Sequence, residues 1–232
     1  MFKWFGAKWN ASKHYPMPEY KLIVEPFAGS ACYALRHAST CRAVLWDACP
    51  EIAQLWCWLI DEARARDILA IPIELEPYTD IRKLGLSRGQ RWLLKYWQRT
   101  NPQTACWTTS PWGHLPGQWT ASTRARVAAQ LPLIRRWEFR EPDYTVEATW
   151  FIDPPYQHNY GHKQPAIDYK KLARRVMRLR GQVIVCEALN PKTGASPDWL
   201  PFEVFRETVT SRRKAHNSHH SSELIFLRSN AT

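Results

Sequence analysis

The residues best suited to chemistry are Asp153-Pro154-Pro155-Tyr156, which follow the apolar run Thr149-Trp150-Phe151-Ile152. In open α/β sheets, ligands bind outside the carboxyl ends of strands, which is where this segment would stand. Two consecutive prolines fix the backbone and remove two amide donors. What remains is a set of acceptors, the Asp153 carboxylate and the carbonyls, suited to gripping an –NH2 group. An aromatic amine such as adenine N6 is a poor nucleophile because its lone pair is delocalised into the ring. Hydrogen bonds from its N–H groups to Asp153 and the Pro154 carbonyl favour a more tetrahedral nitrogen. Tyr156 can stack on a base swung out of a duplex. Chemistry of this kind rests on positioning and electrostatics. Taken alone, the segment also reads as a rigid turn after a strand.

Three further groups could serve a second ligand. The small-residue turn Glu25-Pro26-Phe27-Ala28-Gly29-Ser30-Ala31 joins a first strand to a first helix, where a ligand can approach the backbone and the helix N-terminus. Asp47 ends the second strand about twenty residues later, where an acid reaches ribose hydroxyls in dinucleotide folds. It could equally cap the following helix. Asp143-Tyr144 offers an acceptor and a ring, or merely an exposed turn.

The elements that must position these groups begin with the strand Leu22–Glu25, a helix over Ala31–Ala38, and the strand Arg42–Trp46. A helix over Glu51–Arg66 follows, with Pro50 in its first turn. Strand, turn, helix, strand, helix is the opening of a doubly wound α/β sheet. From Pro77 to about Pro132 the pattern loosens, with helices over Gln90–Arg99 and Ser122–Arg136. Strands return at Arg136–Arg140 and Thr149–Ile152. The helix Tyr169–Leu179 leads into Gln182–Cys186, an apolar run suited to a buried central strand. Phe202–Val209 and Leu224–Leu227 alternate as a closing hairpin about the polar loop Ser211–Ser222. The sequence thus predicts a single α/β domain over 1–232, with an inserted, partly helical region over 78–135.

At 232 residues, one domain is the expectation. No stretch approaches the roughly 20 apolar residues of a membrane helix, and the first residues lack a signal peptide's apolar core, so a cytoplasmic location is expected. The six cysteines form no Cys-x-x-Cys pair and read as reduced core thiols. Net charge is +11, unevenly spread. Residues 22–79 carry four Lys/Arg against eight Asp/Glu, whereas 80–140 carry eleven against two. The basic segment also holds six tryptophans, which suggests a polyanion partner or simply a solvated basic surface. Lys83, Arg88, Arg91, Lys95, Arg99, Arg124 and Arg126 are candidate phosphate partners, and Arg212, Arg213 and Lys214 a second set. His216, His219 and His220 have no carboxylate or cysteine at ligand spacing, so no metal is expected.

The order Lys3-Trp4-Phe5-Gly6-Ala7-Lys8, Val24-Glu25-Pro26-Phe27-Ala28-Gly29 and Asp153-Pro154-Pro155-Tyr156 resembles the DNA adenine methylase family, especially its short phage and prophage members. The likeness extends to Val183–Glu187 and Asp198–Phe202. It implies a Rossmann-like S-adenosylmethionine-dependent methyltransferase fold, with helices on both faces of a mostly parallel sheet, in a bacterial cell or phage-infected host. By the same resemblance, Trp4 and Lys8 would hold the cofactor's methionine part, with Phe27, Ala28 and Gly29 lining its site. Asp47 would bind its ribose and Asp143 with Tyr144 its adenine. Asp153 to Tyr156 would hold the target base of double-stranded DNA, with Asp153 also bordering the cofactor, and the inserted region would recognise the DNA sequence. Ala7 and Ala31 stand where family members commonly carry glycine, and alanine adopts positive φ only at a cost. Cytosine N4 or RNA as the substrate, a small-molecule methyltransferase and a catalytically silent DNA-binding homologue are the alternatives.

Overall fold

The computed structural model describes residues 1–4, 6–9, 11–98, 106–111, 118–157, 167–188, 190, 193, 197–200, 206–214 and 220–228, the backbone alone for 206–214 and 220–224. In chain order the first elements are β1 (Leu22–Glu25), α1 (Cys32–Arg36), β2 (Arg42–Leu45), α2 (Pro50–Cys57), α3 (Ala65–Leu69), α4 (Arg88–Trp97) and α5 (Ala121–Ile134). Then come β3 (Glu138–Phe139), β4 (Glu147–Ile152), α6 (Tyr169–Val176), β5 (Arg180–Ala188), β6 (Arg206–Lys214) and β7 (His220–Arg228). These elements divide into two compact units. One, the helical unit, takes Met1–Ala7 with Asp47–Phe139, and the other, the sheet unit, takes Lys8–Trp46 with Arg140–Thr232.

Within the sheet unit the strands follow the order β2-β1-β4-β5-β7-β6. The first four run parallel, while β7 is antiparallel to both β5 and β6. This is the Rossmann-like, mostly parallel α/β sheet expected from the sequence. Val183, Ile184, Val185 and Cys186 are fully buried because a parallel central strand is covered on both faces. Side chains alternate across the sheet. On one face Val24, Trp150, Ile152, Val183 and Val185 pack with Val176, Leu172 and Ala173 of α6. On the other, Phe151 stacks on Tyr33 of α1 at 4.6 Å and on Tyr15 at 5.5 Å. β1 has β2 on one side and β4 on the other, so the sheet's switch point, and the crevice it opens, lies between β1 and β4.

The hairpin is longer than its sequence pattern suggests. Arg212, Arg213 and Lys214, expected in a loop, pair in β6 with Ser222, Ser221 and His220 of β7, after a register shift between Val209 and Ser211. β6 ends the strand order, and charged residues suit an outermost strand because they discourage pairing with other chains. His216 and His219, like residues 202–205 of the expected strand, lie outside the described residues.

The helical unit takes in more than 78–135, because α2 belongs to it. Glu51 of α2 accepts hydrogen bonds from Lys95 Nζ at 2.7 Å and Tyr96 Oη at 3.0 Å, tying α2 to α4. Phe2 packs on Trp56 and Tyr96, each with ring centroids 5.4 Å apart. The single helix expected over Glu51–Arg66 is instead α2, a π-helical turn at Trp58–Glu62 and α3. The Arg135 guanidinium donates to the carbonyls of Leu59, Ile60 and Ala63, which a helix end leaves without partners of its own. Among the described residues no helix is long and apolar enough to cross a membrane.

Candidate active site

β1 delivers Glu25 to the switch point, β4 ends one residue before Asp153, and β5 carries Glu187 near its end. Three acids therefore stand at the carboxyl ends of adjacent strands. Glu25 is 1% exposed and accepts a 2.6 Å hydrogen bond from the Ala34 N–H. Burial pushes its carboxyl up to about 8; the Ala34 bond opposes this, nearby Asp153 adds to it, and Lys8 opposes it. Glu187 is fully buried and accepts from the Gln157 N–H at 2.8 Å and the Ala188 N–H at 2.9 Å. Burial pushes it up to about 7, against the pull of those two bonds.

Lys8 and Asp153 meet directly, as a paired cation and anion. The Lys8 ammonium donates to both Asp153 oxygens, at 2.9 and 2.8 Å, and lies 5.0 Å from the Tyr156 ring centroid. Lys8 is 8% exposed, and a buried charge persists only when paired and hydrogen-bonded. The Asp153 carboxylate and the Tyr156 ring thus face one primary ammonium. Farther along the motif, the Pro155 carbonyl accepts from Tyr169 Oη at 2.5 Å. The Gln157 side chain is bound to Asp198, whose N–H donates back to it at 3.1 Å.

The turn from β1 to α1 is pinned to the end of β2: Ala28 N–H donates to the Trp46 carbonyl, and Trp46 N–H to the Glu25 carbonyl. Gly29 has φ 46° and Ala31 φ 47°. The turn thus uses left-handed backbone at the position where the sequence has alanine rather than glycine, at a cost of about 1–2 kcal/mol. Beside the turn lies a cleft lined by Pro26, Phe27, Trp46, Tyr144, Ile152, Leu172 and Arg175, among others. Tyr144 stacks on Trp150 at 5.7 Å and 11°, and the Arg175 guanidinium lies 4.2 Å from its ring centroid. Flat apolar walls with one cation at the rim suit a planar aromatic group.

Of the residues singled out in the sequence, Lys8, Asp153 and Tyr156 are brought together, as are Phe27 and Tyr144. Asp143 Oδ1 accepts from Thr145 N–H at 2.9 Å and Thr145 Oγ1 at 2.7 Å, closing a turn. Asp47 and Trp4 belong to the helical unit. Asp47 Oδ1 accepts from the Cys49 N–H at 2.9 Å ahead of α2, and Trp4 packs on Tyr96 at 5.8 Å. Trp46, Tyr169 and Arg175 carry no motif of their own, and Glu187 enters the sequence reading only as the last residue of the Val183–Glu187 stretch. Of the first three, Arg175 alone left a trace, as a cation beside the apolar spacing Leu172, Val176, Leu179.

The basic candidates differ in what they can offer a partner. Lys83, Arg88 and Arg126 are exposed, with Arg88 5.3 Å from the Trp92 ring and Arg126 5.7 Å from the Trp97 ring. Lys95 instead points inward: it is 6% exposed, bonded to Glu51, and 4.5 Å from the Trp107 ring. Its burial removes it from the phosphate-facing set. Arg124 and Arg91 donate to the carbonyls of Ile71 and Arg82. Arg99 lies outside the described residues. None of the described residues forms a His, Cys, Asp or Glu group able to hold a metal ion.

No family model matches the chain, and no curated protein matches it. Among solved structures it is similar to a candidate transferase from Pyrococcus horikoshii, at 8% identity and a TM-score of 0.37. The match covers 97% of this chain and 63% of that one, so the chain spans less than two thirds of its neighbour's length. An overlap that loose leaves the fold to rest on the strand order itself.

Proposed function

We propose that the chain transfers a methyl group from S-adenosylmethionine to N6 of adenine in double-stranded DNA. The observation that carries this reading is the seat of Asp153: at the end of β4, beside the switch point, already holding a primary ammonium against Tyr156. The neighbouring cleft suits the cofactor's purine, since Phe27 and Tyr144 offer flat surfaces for it.

S-adenosylmethionine supplies an electrophilic methyl group. For the base to enter, the Lys8 ammonium yields at least one Asp153 oxygen. Asp153 and the Pro154 carbonyl then accept the two N–H bonds of the target amine, and Tyr156 stacks on the ring. As the N–C bond formed and the methyl's bond to sulfur broke, the cofactor would leave as the neutral thioether S-adenosylhomocysteine, and Asp153 would take the proton that nitrogen loses. Phe27, Ala28, Gly29, Tyr144 and Lys8 would hold the cofactor, with Asp143 completing its site. Lys83, Arg88, Arg91, Arg99, Arg126, Arg212, Arg213 and Lys214 meet DNA phosphates.

The test is to incubate the protein with unmethylated genomic DNA and methyl-labelled cofactor, then identify the labelled nucleoside. Label in N6-methyladenine, lost in a folded Asp153→Ala variant, is the expected result. Label in cytosine would overturn the base assignment but leave the amine chemistry. Label in neither, or full transfer by Asp153→Ala, would overturn the reading.

A further inference from the structure

The Asp153-Pro154-Pro155-Tyr156 segment must hold its acceptors still, yet its own backbone offers little to hold it by. Pro154 and Pro155 have no N–H, so between Asp153 and Gln157 only Tyr156 and Gln157 can donate from the main chain past the prolines. The Gln157 N–H goes to Glu187.

Glu187 is an unusual choice for that task. It is fully buried, at the end of a strand whose four preceding residues are all apolar or Cys and fully buried. Its backbone is fixed on one side by pairing with Leu224 of β7, and the neighbouring Cys186 pairs with Ile225. Its two oxygens are divided: one takes the Gln157 N–H, the other the N–H of Ala188. Burying a carboxylate is unfavourable unless it is fully hydrogen-bonded, and one neutral acceptor would satisfy Gln157 alone. A carboxyl group with both oxygens used links the exit of the Asp153 loop rigidly to the central strand. Tyr169 fixes the middle of the loop through the Pro155 carbonyl, and Lys8 fixes its start at Asp153.

We propose that Glu187 is the positioning residue of this site: through the Gln157 amide it holds the Asp153–Tyr156 loop in the geometry that receives the target amine. Fully buried, it acts through Gln157 rather than on the reacting groups. This role rests on the proposed methyl transfer for its catalytic consequence, but its structural half stands independently of it.

The two halves are tested separately, in Glu187→Ala and Glu187→Gln of the full chain. Amide hydrogen exchange reads the loop with no reaction required. In Glu187→Ala the Gln157 amide is expected to exchange about tenfold faster or more, while the β4 amides keep their protection; Glu187→Gln, with one acceptor left, falls between. In the methyl-transfer assay, kcat is expected to drop at least about tenfold in Glu187→Ala, with the KM for the cofactor held within about threefold and partial rescue in Glu187→Gln. Should Glu187→Ala not fold, Glu187→Gln carries both measurements. Unchanged protection at Gln157 overturns the proposal, as does a loss confined to cofactor KM. Absence of methyl transfer by the unaltered protein, with the exchange effect present, strikes the proposed function and leaves the anchoring role standing.

Discussion

Glu25 makes a direct test of how this sheet tolerates acids at its strand ends. Its carboxyl is fully buried, and its value rises from the ordinary 4.5 to about 8. With the folded value above the unfolded one, the native state holds a proton that the unfolded chain has released. The stabilisation is therefore fully present below about pH 4.5 and is lost as pH rises through 8, with a slope of up to about 1.4 kcal/mol per pH unit. Integrated over that window the loss is about 5 kcal/mol at most, and water entering around the ionised group would reduce it to roughly 2–5 kcal/mol. Glu25→Gln keeps an oxygen for the Ala34 N–H but cannot ionise. The two proteins should be nearly equally stable at pH 5, and the variant increasingly the more stable from pH 6 to 9. Urea unfolding followed by tryptophan fluorescence at each pH measures the difference, and subtracting the two curves cancels every other titrating group. A difference that stays flat within about 0.5 kcal/mol from pH 5 to 9 would refute the reasoning, because it would mean that Glu25 is ionised throughout or solvated in the folded state.

Other perturbations have equally definite outcomes. Ala31→Gly relieves a left-handed residue at φ 47° and should raise the urea midpoint, by about 1 kcal/mol of stability. Gly181→Ala should cost about 2 kcal/mol or more in thermal unfolding, since φ is +92° and a Cβ would stand 2.3 Å from the Ala148 carbonyl oxygen. Lys95→Met keeps the buried stem and should lose less than about 1 kcal/mol, whereas Lys95→Ala should lose about 2–3 kcal/mol. Equal losses in the two Lys95 variants would place the ion pair with Glu51, rather than packing, in control.

What the sequence revealed was local. A strand stopping at Asp153, two prolines and an aromatic are contiguous, so the candidate seat of chemistry is legible in the sequence itself. The β1 turn was visible for the same reason, and even its strain was foreseeable at Ala31. Pairings across the chain left no such mark. Lys8 and Asp153 are 145 residues apart, and nothing near either one announces the other. Glu187 reads as the end of an apolar strand until Gln157 is set against it. The boundary of the helical unit escaped because it depends on Glu51 meeting Lys95 and Tyr96, not on any change of composition at residue 47. The polar end of β6 carries no strand signal of its own, because alternation marks a half-buried strand and an outermost strand need not alternate.

The chain's route between its two units has a consequence for its synthesis. β1 is complete by residue 25, but β4, its neighbour across the switch point, does not begin until residue 147. At about 5–20 residues per second, a ribosome needs roughly 6–25 s to cover that gap. For that interval the apolar edge formed by Ile23 and Val24 has β2 on one flank and no strand on the other. Met1, bonded to Trp97, waits nearly as long for a partner 96 residues away. The period of greatest exposure to aggregation thus falls while the helical unit is being made, and ends only when β4 leaves the ribosome.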